Sequence, residues 1–177
     1  MPKNTQKIGW IGMGRMGYPM AECLLKAGYD VSIWNRTRAK AEPLGKLGGK
    51  VVDKAVDLAG VDVLFSMVST GKDLEQVYFG ADGALTAKGR VPPVLVDCST
   101  ISVEQSAALH APASRRNPHD AGLLAVGKLR QPRRGSCRVI GFARRDRHLG
   151  RHQRGENLFV AVDLHANALR LHVDHAY

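Results

Sequence analysis

Ile11-Gly12-Met13-Gly14-Arg15-Met16-Gly17 is the stretch on which the reading of this 177-residue chain turns. It contains a G-x-G-x-x-G run, and glycine-rich turns are common enough that the run says little by itself. Its setting says more. Lys7 to Ile11 is a short apolar run of strand type, and Met16 to Ala27 has a helical pattern, with Pro19 tolerated in its first turn and Gly28 placed as a left-handed C-cap. A strand, three spaced glycines and a helix form the dinucleotide fingerprint. Gly12 permits the tight turn, Gly14 lets a pyrophosphate approach the backbone, and Gly17 lets the helix pack on the strand. Gly12, Met13, Gly14, Arg15, Met16 and Gly17 are therefore predicted to wrap a pyrophosphate, with the free N–H groups of the helix start facing the anion.

Outward from this stretch the pattern repeats. Val31–Trp34 reads as a second strand and Arg38–Leu47 as a helix that Pro43 is placed to kink. Lys50–Val52 is a third strand, and Ala55–Ala59 a short helix. Val61–Val68 is a nearly unbroken apolar run, expected of a strand covered on both faces. Thr70 and Asp73 have capping-box spacing before a helix around Leu74–Tyr78. Val94–Val96 is a fifth strand, and Ser102 with Gln105 caps a helix expected to run to about Leu109. Five strands alternating with helices give an α/β, Rossmann-type, doubly wound parallel sheet over residues 1–110.

The end of the second strand bears on the choice of cofactor. An NAD site usually places a carboxylate there to accept from the ribose hydroxyls. This chain has Asn35-Arg36-Thr37, in which Arg36 can grip a 2′-phosphate bidentately and Thr37 can donate a further bond, with Lys40 adding charge one turn on. NADP is expected in preference to NAD. Two further stretches follow strands on the edge where open α/β sheets bind ligands: Met67-Val68-Ser69-Thr70 and Asp97-Cys98-Ser99-Thr100. The hydroxyls of Ser99 and Thr100 could hold a nicotinamide carboxamide or a substrate carboxylate, or they could simply cap helices.

Taken together, Ile11 to Met20, Trp34-Asn35-Arg36-Thr37 and Asp97-Cys98-Ser99-Thr100-Ile101-Ser102 resemble the β-hydroxyacid dehydrogenases, a family that includes 3-hydroxyisobutyrate dehydrogenase and, more distantly, 6-phosphogluconate dehydrogenase. The resemblance spans about residues 7–109. It implies an oxidoreductase moving hydride between a nicotinamide and a small β-hydroxyacid or its semialdehyde. It also implies that Met67 and Val68 line the cofactor, that Thr100 touches it, and that Ser99 and Thr100 border the substrate.

Past that point the resemblance ends. The glycine-rich substrate segment and the lysine of the family's helical domain have no counterpart; Lys128 stands in Val-Gly-Lys-Leu-Arg, without the expected glycines before it or asparagine after it. No catalytic residue is assigned. Composition changes too. Residues 1–110 hold 13 Lys+Arg against 11 Asp+Glu, a net of +2, whereas residues 111–177 hold 13 against 5, a net of +8. Twelve of those thirteen cations are arginine, and six of the seven histidines lie there. Ser114 to His119, Gln131 to Arg134 and Arg144 to His148 have the composition of GC-rich DNA translated out of frame, or of a poorly structured basic tail. Leu158–Leu164 and Leu169–Val173 alternate with period two around Ala166-Asn167 and could form a hairpin. His172 and His175 with Asp174 are not read as a metal site, because two histidines three apart in a strand do not share a face.

The expected product is an NADP-binding half of an oxidoreductase, truncated and inactive as it stands, with substrate binding doubtful. The alternatives are a cofactor-binding module without catalysis, and a basic nucleic-acid-binding protein, disfavoured by the few aromatics and the lack of a recognisable module. No apolar stretch has the length of a membrane span, and the polar start Met1–Gln6 is no secretory signal. Cys23, Cys98 and Cys137 suggest neither a disulfide framework nor a metal clip. The cytoplasm is the expected location, and the oligomeric state is open.

Overall fold

A computed structural model describes residues 6–88 and 90–116 and, beyond them, the backbone of four strands; within the last helix, 103, 110, 111 and 114–116 are likewise described by backbone alone. The order is β1 (Lys7–Ile11), α1 (Gly17–Lys26), β2 (Asp30–Trp34), α2 (Glu42–Gly45), β3 (Lys50–Val51), β4 (Val63–Ser66), α3 (Gly71–Phe79), β5 (Val94–Asp97) and α4 (Val103–Arg116). Then come β6 (Leu123–Arg130), β7 (Cys137–Arg144), β8 (Asn157–His165) and β9 (Ala168–His175). One sheet holds all nine strands in the order β3-β2-β1-β4-β5-β6-β7-β8-β9. The strands from β3 to β6 pair in parallel, and β6 to β9 pair antiparallel. The parallel, doubly wound sheet expected from the alternation is present over β1 to β5, in the order 3-2-1-4-5.

The unbroken apolar runs have the cause expected for them. Ile8, Trp10, Val63, Phe65 and Val96 join one buried cluster with Met20 and Leu24 of α1, while Ile11, Leu64 and Leu95 join another with Leu74 and Tyr78 of α3 and Leu109 of α4. Neighbours along a strand point to opposite faces, so both faces must be covered and no polar alternation survives. Trp10 and Phe65 stack at 5.2 Å in the first cluster.

Most element boundaries match the sequence reading to within a few residues. The helix expected over Arg38–Leu47 is instead a 3-10 turn, Arg38–Lys40, followed by α2, with Pro43 in the first turn of α2. Proline lacks the N–H that a continuous helix would need there. Helix α4 passes Leu109 and continues through Pro112 to Arg116, because Leu109 and Ala113 are buried on the second cluster. The hairpin expected around residues 166–167 appears as β8 and β9, which pair through His165 and Ala168. Of the basic stretches, Ser114–Arg116 close α4, and Arg144 ends β7. Residues 117–119, 131–134 and 145–148 lie outside the described residues, as do the side chains of Lys128, His172, Asp174 and His175. Among the described residues no helix is long and apolar enough to cross a membrane.

Candidate cofactor site

The glycine loop leaves β1 under backbone constraint. Gly12 has φ +98°, its N–H donates to the Trp34 carbonyl (3.1 Å), and a Cβ there would run into the Met67 carbonyl oxygen. A Cβ on Gly17 would run into the carbonyl oxygen of Gly12, to which the buried Trp10 Nε1 also donates (3.1 Å). Gly14 faces open space. The N–H groups of Gly14, Arg15 and Met16, ahead of α1, make no hydrogen bond among the described residues, and no side chain caps the helix. These are open donors at a helix start beside a space that only glycine leaves empty, which is the requirement for holding a pyrophosphate.

Asn35 fixes this loop to the next one. Its Oδ1 accepts from the Met13 N–H (2.8 Å), and its Nδ2 donates to the Thr37 carbonyl (2.8 Å). Asn35 therefore spends both ends of its amide on shaping the two loops. Arg36 is exposed and reaches Asp73 of α3 at 3.2 Å. Arg38 points elsewhere, paired with Asp53 and Glu42.

A groove of about 430 Å³ runs along these elements. Of the residues expected to bind cofactor, Gly12, Met13, Gly14, Asn35, Arg36, Thr37, Met67 and Val68 line it, together with Lys40. Arg15, Met16 and Gly17 sit beside the loop without lining the groove, and Thr100 is exposed outside it. Ser99 is buried; its Oγ accepts from the Val68 N–H (2.9 Å) and donates to Asp97 (2.7 Å), so that hydroxyl keeps no proton for a ligand. The sequence reading did not place Ala55, Gln76, Val77, Ala81 and Asp82 here. Ala55 comes from the turn after β3, which pairs with β2; the others come from α3 and its following turn and join the site because β4 lies next to β1.

Beneath the loops lies a buried polar network. Tyr78 donates to Ser66 Oγ (2.8 Å), while Ser66 Oγ (2.7 Å), Ser99 Oγ and the Ser99 N–H (3.1 Å) all donate to Asp97 Oδ1. Burial pushes the Asp97 carboxyl up from its ordinary value, and the hydroxyl and amide donors only partly offset this. Tyr78 is raised well above its own, first by burial and then by the negative charge of Asp97. The network ties the ends of β4 and β5 to α3, and through Ser99 it holds the Val68 amide.

A parallel sheet in this order, with a glycine loop, open helix N–H groups and a groove at the strand ends, defines a nicotinamide-dinucleotide-binding domain. The sequence pattern of the NAD binding domain of 6-phosphogluconate dehydrogenase matches residues 7–124, and the chain belongs to that family. The match extends past residue 109, through α4 and into β6. The chain is 32% identical to 3-hydroxyisobutyrate dehydrogenase of Pseudomonas aeruginosa over 163 residues, covering 88% of this chain and 54% of that protein. It is 40% identical to glyoxylate/succinic semialdehyde reductase 2, chloroplastic, of Arabidopsis thaliana, over 58% of this chain and 28% of that one. The chain thus spans between about a quarter and about half of the length of these two relatives. Among solved structures, Mycobacterium tuberculosis 3-hydroxyisobutyrate dehydrogenase with L-serine is similar at a TM-score of 0.60 and 27% identity, over 70% of this chain and 40% of that one. An imine reductase from Myxococcus stipitatus in complex with NADP+ is similar at 0.57 and 28%, over 67% and 39%.

Proposed function

We propose that this chain is the NADP-binding half of an oxidoreductase acting on a small β-hydroxyacid or its semialdehyde. The observation that carries the choice of NADP is the loop after β2. It brings Arg36, Thr37 and Lys40 to the groove and contributes no carboxylate of its own. A 2′-phosphate would meet cationic and neutral donors there, where a carboxylate would repel it. The glycine loop and the N–H groups of Gly14, Arg15 and Met16 would hold the pyrophosphate, and the apolar patch of Ala55, Val77 and Ala81 would take the adenine. The bound nicotinamide would supply or accept the hydride. Met67 and Val68, fixed from below by Ser99, would position it, and Thr100 would stand at the substrate side. The names of the relatives support the substrate class. With no lysine in the family's setting, the 177 residues supply the cofactor half of the reaction and not its proton transfer.

Titration of the chain with NADP and NAD tests this. Arg36→Ala is expected to weaken NADP by about 1.5–3 kcal/mol, the scale of a charged hydrogen bond, and to leave NAD nearly unchanged. Equal losses for both cofactors would overturn the NADP reading.

A further inference from the structure

Arg36 is held by a carboxylate in this chain, and that carboxylate belongs to the groove. Asp73 lies in the first turn of α3, with its side chain 28% exposed. Its Oδ2 accepts from Thr70 Oγ1 (2.8 Å), and its own N–H donates back to that oxygen (3.1 Å). The helix start therefore fixes the carboxylate, and Oδ1 is left to accept from Arg36 Nη1 at 3.2 Å. Lys40, the other cation lining this end of the groove, has no ion-pair partner among the described residues.

We propose that Asp73 is a specificity-determining residue that competes with the 2′-phosphate for Arg36 and so limits the preference for NADP over NAD. The inference rests on the NADP reading above. Two effects oppose each other at this position: Asp73 could orient Arg36 for the phosphate, or it could neutralise Arg36 and repel the phosphate. Their magnitudes decide. Arg36 is 78% exposed and makes one contact to Asp73, so the pair is a weak orienting device. A phosphate monoester carries nearly two negative charges near neutral pH, and it can bind the guanidinium bidentately. The phosphate takes Arg36 from Asp73, and the remaining cost is the charge of Asp73 beside it.

Asp73→Asn keeps the backbone cap and an acceptor for Thr70 while removing the charge. With the full chain, NADP is expected to bind about 2- to 5-fold more tightly, the range of an exposed ion pair, and NAD to bind unchanged. Asp73→Ala, checked for an unaltered melting curve, should shift NADP in the same direction. Asp53→Asn makes the same change of net charge and releases Arg38, which lies outside the groove; it should leave both affinities alone. Unchanged or weaker NADP binding in the Asp73 variants overturns the inference, as does equal tightening of both cofactors or an equal effect of Asp53→Asn. If wild type prefers NADP and Asp73→Asn changes nothing, the inference alone fails. If wild type has no NADP preference, the NADP reading fails and the inference falls with it.

Discussion

Strands β4 and β8 are built from similar letters, Val63-Leu64-Phe65 in one and Leu158-Phe159-Val160 in the other. Their surroundings differ. β4 runs parallel between β1 and β5, and its chain must cross back over the sheet before the next strand can start. The residues after it, Met67 to Thr70, therefore turn directly into α3, with Thr70 capping the helix. β8 runs antiparallel between β7 and β9, and two residues suffice to return the chain. Parallel connections collect strand ends, helix starts and their spare N–H groups at one edge. Antiparallel connections spread strand ends over both edges. This is why, among the described residues, the groove is lined by those between 11 and 82, although the sheet extends far beyond them.

The largest effect expected from breaking the parallel half is at its centre. Trp10 is fully buried, stacks on Phe65 and donates to the carbonyl of Gly12, so it joins the core to the loop that the site depends on. Trp10→Ala should destabilise the chain by about 3–5 kcal/mol, measured by denaturant unfolding. A loss below 1 kcal/mol would mean that the stacked pair is not part of what folds the parallel half.

The network beneath the loops gives a smaller and pH-dependent effect. Burial raises the Asp97 carboxyl, so the folded chain holds that proton more readily than the unfolded chain. The stability this group contributes is fully present below the unfolded carboxylate value, about 3.9, and is lost as pH rises through the raised folded value. Asp97→Asn removes the titration. The stability of wild type minus that of Asp97→Asn should therefore fall as pH is raised from about 4 towards neutrality, and a difference that is flat or rises with pH would contradict this.

Legibility in the sequence follows the same division between the two halves. Gly12 and Gly17 were readable because sterics leave no alternative to glycine at those points, Gly14 because a side chain would fill the open space a pyrophosphate needs, and the spacing is local. The caps at Thr70 and Ser102 were readable for a similar reason, and both are formed, Ser102 with Gln105 in both directions. Asp73 could be read as a capping residue, but not as the partner of Arg36, because that contact joins residues 37 positions apart and exists only once β2 and α3 flank one groove. Ser99 looked like a ligand donor because a strand-end serine has a free hydroxyl on paper; the buried carboxylate two residues earlier takes its proton. The length of α4 was hidden by Pro112, whose local cost is outweighed by burying Leu109 and Ala113.

The smallest expected effect comes from removing the antiparallel half altogether. A chain ending at Arg116 keeps every described residue that lines the groove, the Asp97 network and the whole of α4, which packs against the second core cluster. It loses β6 to β9, of which β6 alone pairs with the parallel half, through Leu95, Val96 and Asp97. Those pairings are backbone bonds on the side of β5 away from β4, and the groove lies around β1, β2 and β4. β6 reaches the site only through the backbone of Asp97, whose side chain keeps its Ser66 and Ser99 donors. Well-separated changes usually add within about 0.3–0.5 kcal/mol, so the truncated chain should bind NADP within about twofold of the full one. Isothermal titration of both chains at one salt concentration measures this. A loss of tenfold or more, in a truncated chain that still melts cooperatively, would show that the cofactor site needs strands beyond β5.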